Sequence, residues 1–150
     1  TEKRKKELIR KAISVVGDAY APYSRFHVAA ALLCGDGSVY TGVNIENSSY
    51  PAGTCAERTA LFTAVSGGKR DFCAIVIVGG AEGEIKDYCP PCGICRQAMR
   101  EFTNPESFRV ILARSEEDYK EYTLKELLPQ SFGPENLYNR KKGVVQNEDV

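Results

Sequence analysis

The sequence of 150 residues contains one histidine, His27, and carries no net charge, because twenty basic residues balance twenty acidic ones. Histidines therefore cannot provide a cluster of metal ligands. The balanced charge produces no strong field that would favour binding to nucleic acid or to an anionic membrane. The chain also lacks the roughly 20-residue apolar run that a membrane span requires. We therefore expect neither a nucleic-acid partner nor a membrane partner.

The sequence has no recognisable secretory signal, internal repeat or interdomain linker. Its first residues are charged and lack the apolar core of a signal peptide, so we expect a cytoplasmic location. Hydrophobic residues make up 43% of the chain and charged residues 27%, which is typical of a soluble globular protein. We predict a single domain over residues 1–150, with a polar C-terminal tail from about residue 138 to residue 150.

The predicted elements alternate between helices and strands. Apolar residues recur every three to four positions from Lys3 to Ala19, which predicts an amphipathic helix with a solvated basic face. The remaining predicted elements are strands over His27–Cys34 and Val39–Glu46, a helix over Cys55–Val65, a buried strand over Asp71–Gly80, a helix over Pro91–Phe102, a strand over Phe108–Ala113, an edge strand within Arg114–Tyr122 and a short helix at Leu124–Leu128. This order predicts an α/β class, three-layer α/β/α fold with a mixed five-stranded sheet.

Six cysteines restrict the kinds of functional site that the chain can contain. In a chain of this size without a secretory signal, clustered cysteines indicate metal ligands or catalytic groups more than disulfides. Cys34 ends one apolar run and Cys73 begins another, so we predict that both are buried as small hydrophobic residues. Cys89, Cys92 and Cys95 form two overlapping C-x-x-C pairs, and their spacing leaves the choice of ligands open.

Two short runs predict a metal site: Cys55–Arg58 and Pro91–Gln97. Each run begins a predicted helix, where unpaired amides and the helix dipole favour a thiolate. Cys95 follows Cys92 by one turn on the same helix face. Three thiolates on one zinc ion would leave the fourth position open for water, as catalytic zinc sites do. Glu57 lies two residues after Cys55, and we predict that it stands beside the metal without being a ligand.

A zinc ion with three thiolates carries net negative charge, which opposes the formation of hydroxide. We predict that Arg58 offsets this charge by donating to the thiolate sulfurs, since groups behind the ligands tune metal sites. Arg96 is a weaker candidate for the same role. For His27 we expect an ordinary packing or hydrogen-bonding role.

The polar loop Asn44–Tyr50 closely precedes Cys55 in the chain. By themselves these residues are also typical of a solvated surface loop. Amide and carboxylate side chains can, however, bind the hydroxyl groups of a sugar, and Tyr50 can supply an aromatic wall. The loop therefore indicates a small-molecule pocket next to the predicted metal.

Together these segments resemble the small, zinc-dependent cytidine deaminases of the homotetrameric class with three cysteine ligands. The resemblance extends from Ala21–Phe26 to Leu127–Pro134, and its most specific parts are Asn44–Asn47, Cys55–Thr59 and Pro91–Gln97. It implies the cytidine-deaminase fold, one zinc ion per subunit, and a homotetramer whose active sites are completed across interfaces. The implied reaction is hydrolytic deamination of cytidine and deoxycytidine to uridine and deoxyuridine with release of ammonia, in pyrimidine salvage.

The resemblance also implies a role for individual residues. It assigns Cys55, Cys92 and Cys95 as zinc ligands and leaves out Cys89. It assigns Glu57 as the catalytic residue, which moves protons between the attacking water, N3 of the base and the leaving amino group. The implied substrate contacts are Phe26, Asn44, Glu46, Tyr50, Ala56 and Phe132, with Phe132 reaching the site of a neighbouring subunit.

Three alternatives use related features. A deaminase of polynucleotides would need a basic groove, which the neutral composition does not favour. An aminohydrolase for a modified nucleoside, such as a blasticidin deaminase, would share the zinc chemistry and differ in substrate. A structural zinc module would need a fourth ligand, a position that Cys89 could fill.

Overall fold

The structure is a computed structural model that describes residues 1–138. Almost all of the predicted polar tail therefore lies outside the described residues. No helix within residues 1–138 combines the length and the apolar character needed to cross a bilayer.

The predicted elements are present, with ends that shift by a few residues. The helices are α1 (Glu2–Val15), α2 (Ala56–Ser66), α3 (Gly93–Phe102), α4 (Leu124–Leu127) and α5 (Pro134–Tyr138). The strands are β1 (Phe26–Cys34), β2 (Val39–Val43), β3 (Phe72–Ala81), β4 (Arg109–Ser115) and β5 (Asp118–Thr123). Sequence analysis did not predict α5, since its five residues are too few to show a helical period.

The five strands form one mixed sheet in the order β2-β1-β3-β4-β5. The pair β3 and β4 is parallel, and every other neighbouring pair is antiparallel. A parallel pair needs a crossover connection, and α3 provides it between β3 and β4. The predicted mixed five-stranded sheet is therefore confirmed.

Helices cover both faces of this sheet and create two cores. On one face α1 packs Leu8, Ile9 and Ala12 against strand residues such as Val76 and Val78. On the other face α2 and α3 pack over the alternate strand positions. This second core includes Ala30, Leu32, Ala56, Ala60, Leu61, Ile75, Ile77 and Met99. Burial on both faces explains why β3 is apolar without interruption, and the predicted α/β/α layering is confirmed.

The predicted burial of the two isolated cysteines is confirmed for only one of them. Cys34 is 2% exposed and belongs to the core under α2 and α3. Cys73, in contrast, is exposed, so the prediction for it is wrong. In the β1–β3 ladder Leu33 pairs with Ala74 and Cys34 pairs with Phe72, so Cys73 lies at the irregularity between these two pairs. An extra residue of this kind leaves the regular alternation of the ladder, which the apolar run did not indicate.

Candidate active site

The starts of α2 and α3 bring three cysteines together. Cys55 is the N-cap of α2, and Cys92 is the N-cap of α3. The Cys92 sulfur accepts a hydrogen bond from the backbone N–H of Cys95 at 3.4 Å. The three Sγ atoms lie within 4.8 Å of one another, and those of Cys55 and Cys92 are 3.7 Å apart.

The donor set of this cluster fits zinc. A tetrahedral zinc ion with bonds of about 2.3 Å to sulfur places its thiolates about 3.8 Å apart, close to the Cys55–Cys92 separation of 3.7 Å. Cys95 is fully buried whereas Cys92 is exposed, so the cluster opens to one side. Among the described residues, the group whose geometry could hold a metal ion consists of these three cysteines and does not include Cys89. A zinc ion held by these three sulfurs would keep a fourth position for water or substrate.

Helix α2 is held unusually close to the sheet at the site. A Cβ atom added to Gly42 of β2 would lie 2.4 Å from the Ala60 nitrogen and 2.7 Å from the Ala56 oxygen. Only glycine permits this approach, and the facing helix residues are alanines. The contact fixes the height of the first turn of α2, which carries Cys55 and Glu57, above the sheet.

Glu57 is a buried acid at the base of the site. Only 4% of it is exposed, yet it lines the cavity described below together with Cys55. Burial, followed by the neighbouring Cys55, raises the pKa of the Glu57 carboxyl to about 7. Residues that transfer protons are often buried carboxyls whose pKa is raised and which face a cavity.

Arg58 contacts the three-cysteine cluster. Its Nη2 donates to the Cys55 sulfur at 3.5 Å. A hydrogen bond from Cys95, with further contributions from Arg58 and Cys92, lowers the pKa of the Cys55 thiol to about 5. The Cys55 sulfur is therefore prepared to be a thiolate, the form that binds metals. The hydrogen bond with Cys55 and burial raise the pKa of the Cys95 thiol. Arg96 has another role, since it donates to the carbonyls of Pro91 and Leu127 at 2.9 and 2.6 Å.

A cavity of about 620 Å³ opens beside the cysteines. Its volume lies within the range of small-ligand sites. The predicted residues that line it are Asn44, Glu46, Tyr50, Cys55, Ala56, Glu57, Arg58 and Cys92. The fold thus brings the polar loop after β2 next to the three-cysteine cluster, although the two are separate in the sequence.

Asn44 and Glu46 are fixed by hydrogen bonds to neighbouring backbone. Asn44 Oδ1 accepts from Val28 N at 2.9 Å, and its Nδ2 donates to the Phe26 carbonyl at 2.8 Å. Glu46 accepts from the backbone N–H groups of Tyr23 and Ser24 at 3.0 and 3.1 Å, and from the Ser24 hydroxyl at 2.5 Å. An amide nitrogen has a second N–H, and a carboxylate has about four acceptor positions. Both side chains are therefore rigid and retain capacity for a ligand.

Two predicted substrate contacts lie outside this cavity as residues 1–138 form it. Phe26 is 42% exposed and lines a separate, smaller cavity with residues of β3 and the loop after it. Phe132 is 58% exposed and follows α4, with its carbonyl bound by the Gln97 side chain at 2.9 Å. One chain therefore does not bring these two aromatic rings to the cluster.

Several residues of the cavity wall were not predicted from the sequence. Tyr23 and Ser24 line it, and the Tyr23 ring lies 6.1 Å from that of Tyr50 at a tilt of 60°. Cys89 also lines the cavity, and burial raises the pKa of its thiol to about 11. The only signal for Tyr23 and Ser24 was an irregular segment of polar and aromatic residues before β1. Such a segment does not indicate which part of the fold its side chains face.

Known proteins match both the sequence and the fold. A family model described as the cytidine and deoxycytidylate deaminase zinc-binding region matches residues 2–111. The cytidine deaminase of Halalkalibacterium halodurans is 49% identical over 130 residues, which cover 87% of this chain and 95% of that protein.

Solved structures agree with the sequence matches. The cytidine deaminase of Burkholderia pseudomallei superposes with a TM-score of 0.76 at 44% identity, covering 84% of this chain and 97% of that one. The enzyme from Mycobacterium tuberculosis gives a TM-score of 0.71 at 35% identity, covering 85% and 95%. The chain therefore belongs to the cytidine deaminase family of zinc-binding enzymes, as its motifs predicted.

Proposed function

We propose that this chain catalyses the hydrolytic deamination of cytidine and deoxycytidine to uridine and deoxyuridine, with release of ammonia. The observation that carries this proposal is the buried carboxyl of Glu57 beside the three-cysteine cluster, at the base of a cavity of about 620 Å³. A hydrolytic deaminase needs a nucleophile from water, a group that moves protons, and a pocket for the nucleoside. This site offers residues for each of these tasks.

The proposed cofactor is one zinc ion per subunit, held by Cys55, Cys92 and Cys95. When bound, zinc supplies the Lewis acidity that makes a water molecule nucleophilic at neutral pH. Arg58 donates to Cys55 at 3.5 Å and so partly offsets the excess negative charge of three thiolates. This compensation matters because negative charge on the cluster disfavours the loss of a proton from water.

Glu57 is proposed to be the proton shuttle. Its carboxyl accepts a proton from the attacking water, delivers a proton to N3 of the cytosine ring, and assists the departure of the amino group as ammonia. Burial supports this role, because a carboxyl that is 4% exposed can retain the proton between these steps without exchange with bulk water. Glu57 follows the N-cap Cys55 by two residues in the first turn of α2, which keeps the acid beside the cysteine cluster.

The other cavity residues are proposed to bind and orient the nucleoside. Asn44 and Glu46 hold the ribose hydroxyls, since both are rigid and keep unused hydrogen-bonding positions. The Ala56 backbone binds the pyrimidine ring together with Glu57. Tyr50, which is 77% exposed at the cavity rim, forms an aromatic wall.

The active form is proposed to be a homotetramer in the cytoplasm that serves pyrimidine salvage. Phe26 and Phe132 are proposed to contact the substrate in this assembly, with Phe132 entering the cavity of a neighbouring subunit. Their exposed rings support this proposal, since a large exposed aromatic side chain is typical of a surface that binds a partner.

The decisive experiment follows the ultraviolet absorbance of cytidine mixed with the purified protein. We expect the spectrum to change steadily to that of uridine. Treatment with a zinc chelator should abolish this conversion, and added zinc should restore it. Deoxycytidine and blasticidin serve as comparison substrates. Absence of turnover by the zinc-loaded protein would contradict the proposed function, and turnover of the antibiotic alone would favour the modified-nucleoside alternative.

A further inference from the structure

One face of α3 binds the segment that follows α4. Gln97 Nε2 donates to the Phe132 carbonyl at 2.9 Å, and Arg100 Nε donates to the Ser131 hydroxyl at 2.8 Å. Arg100 Nη2 also forms an ion pair with Glu135 of α5. The segment from Ser131 to Glu135, which we term the 131–135 segment, is therefore bound to α3 on both sides of Phe132.

Arg100 is the centre of these contacts. The residue is only 5% exposed, and the Glu135 side chain with which it pairs is 16% exposed. A buried guanidinium must keep its partners, because an unpaired buried charge is strongly unfavourable. Its planar fork of donors also fixes the direction of the groups that it binds. Arg100 therefore binds this segment at two points, Ser131 and Glu135.

Gly133 shows how closely the segment follows the guanidinium. A Cβ atom at this position would lie 2.4–2.5 Å from the Cζ, Nη1 and Nη2 atoms of Arg100. The backbone next to Phe132 thus rests directly on the guanidinium group. Phe132 itself is nevertheless 58% exposed.

We propose that Arg100 is a positioning residue: it fixes the 131–135 segment so that the Phe132 ring enters the nucleoside cavity of a neighbouring subunit. This inference rests on the proposed function, in which Phe132 completes a neighbouring site. It adds that the affinity of one site for its nucleoside depends on a buried ion pair in another subunit. Arg100 itself does not line the cavity of its own chain.

The first test replaces Arg100 by glutamine and measures kcat and KM for cytidine. Because an aromatic contact to the nucleoside is lost and the chemistry is not, we expect KM to rise about tenfold while kcat changes little. The Gly133→Ala variant disturbs the same contact by a change in the segment, and it should also raise KM. Gly17→Ala is the matched control, since a Cβ atom there meets no atom within 4 Å, and its KM should equal that of the parent.

The second test separates action between subunits from a local structural defect. Arg100→Gln is co-refolded with an excess of Glu57→Gln, which is expected to be inactive but carries an intact Arg100 and a correctly held Phe132. In mixed oligomers the active cavities receive Phe132 from the Glu57→Gln subunits, so KM should return close to the parent value. A defect confined to the subunit that carries the substitution would leave KM elevated.

The outcomes are distinct. A raised KM that is restored by mixing supports the inference, whereas an unchanged KM, or a raised KM that mixing does not restore, overturns it. If Arg100→Gln does not fold, Gly133→Ala is mixed with Glu57→Gln and decides by the same criteria. Failure of the parent protein to deaminate cytidine would instead contradict the proposed function, and the two failures are therefore distinguishable.

Discussion

The contact between Gly42 and α2 leads to a prediction that joins the fold to the site. In the Gly42→Ala variant the new methyl group would lie 2.4 Å from the Ala60 nitrogen, 2.7 Å from the Ala56 oxygen and 3.0 Å from the Ala60 Cα atom. Comfortable carbon contacts begin at about 3.5 Å, so α2 must move away by roughly 1 Å. Each of the three atoms belongs to the helix backbone, and no side-chain rotation can relieve the overlap.

The size of the effect follows from this geometry. Overpacking a well-filled core costs about 1–3 kcal/mol, and a clash with backbone belongs near the upper limit. For a chain of this length, about 3 kcal/mol corresponds to a melting temperature lower by about 6–12 °C. The displaced turn carries Cys55 and Glu57, and a misplacement of about 1 Å at a reacting centre can reduce kcat/KM about 100-fold.

The assay combines thermal unfolding with steady-state turnover, both at fixed protein and zinc concentrations because bound metal and assembly change the apparent stability. Gly17→Ala is again the control, since its methyl group meets no atom within 4 Å. We expect Gly42→Ala to melt well below this control and to turn over cytidine much more slowly. If the two variants melt at the same temperature and are equally active, the close approach of α2 does not hold the site in place.

Further variants test individual residues of the site. Glu57→Gln should retain zinc and lose at least about 10²–10⁴-fold in kcat, and near-normal turnover would contradict its role as proton shuttle. Cys89→Ala should keep one zinc ion per subunit whereas Cys92→Ala should lose it; loss of zinc from both variants would indicate a fourth cysteine ligand. A side-chain hydrogen bond from Ser24 lowers the pKa of Glu46. The Glu46 carboxylate therefore stays charged at pH values below the ordinary pKa of a glutamate. In Ser24→Ala, Glu46 should protonate at a higher pH, and KM should begin to rise at a higher pH than in the parent as the solution is acidified. Identical pH profiles of KM would show that this hydrogen bond does not control substrate binding.

Short-range patterns allowed much of the fold to be predicted. The apolar repeat of α1 and the continuous apolar run of β3 each predicted an element that is present. Such patterns act over a few residues, where periodicity reports burial directly. The five residues of α5 were missed because so short a helix shows no such pattern. Cys73 was misjudged because an irregularity in strand pairing depends on the partner strand.

The candidate metal site was also accessible from the sequence, because each ligand run includes its own helix start. Cys92 and Cys95 are separated by one turn, and Cys55 precedes a helix whose next residues include Glu57 and Arg58. Local spacing and helix dipoles therefore indicated the chemistry before any contact between the two runs was known.

The sequence by itself determined which residues can bind a metal, move a proton and hold a sugar, since those abilities belong to side chains and their immediate neighbours. Only the tertiary structure decided that Cys55 and Cys92 approach within 3.7 Å, that Tyr23 and Ser24 share the cavity, and that Phe132 is anchored through Arg100. The reason is that these contacts join segments separated by many residues. Such contacts depend on the order of the strands and on how closely the helices pack upon them, which no local pattern encodes.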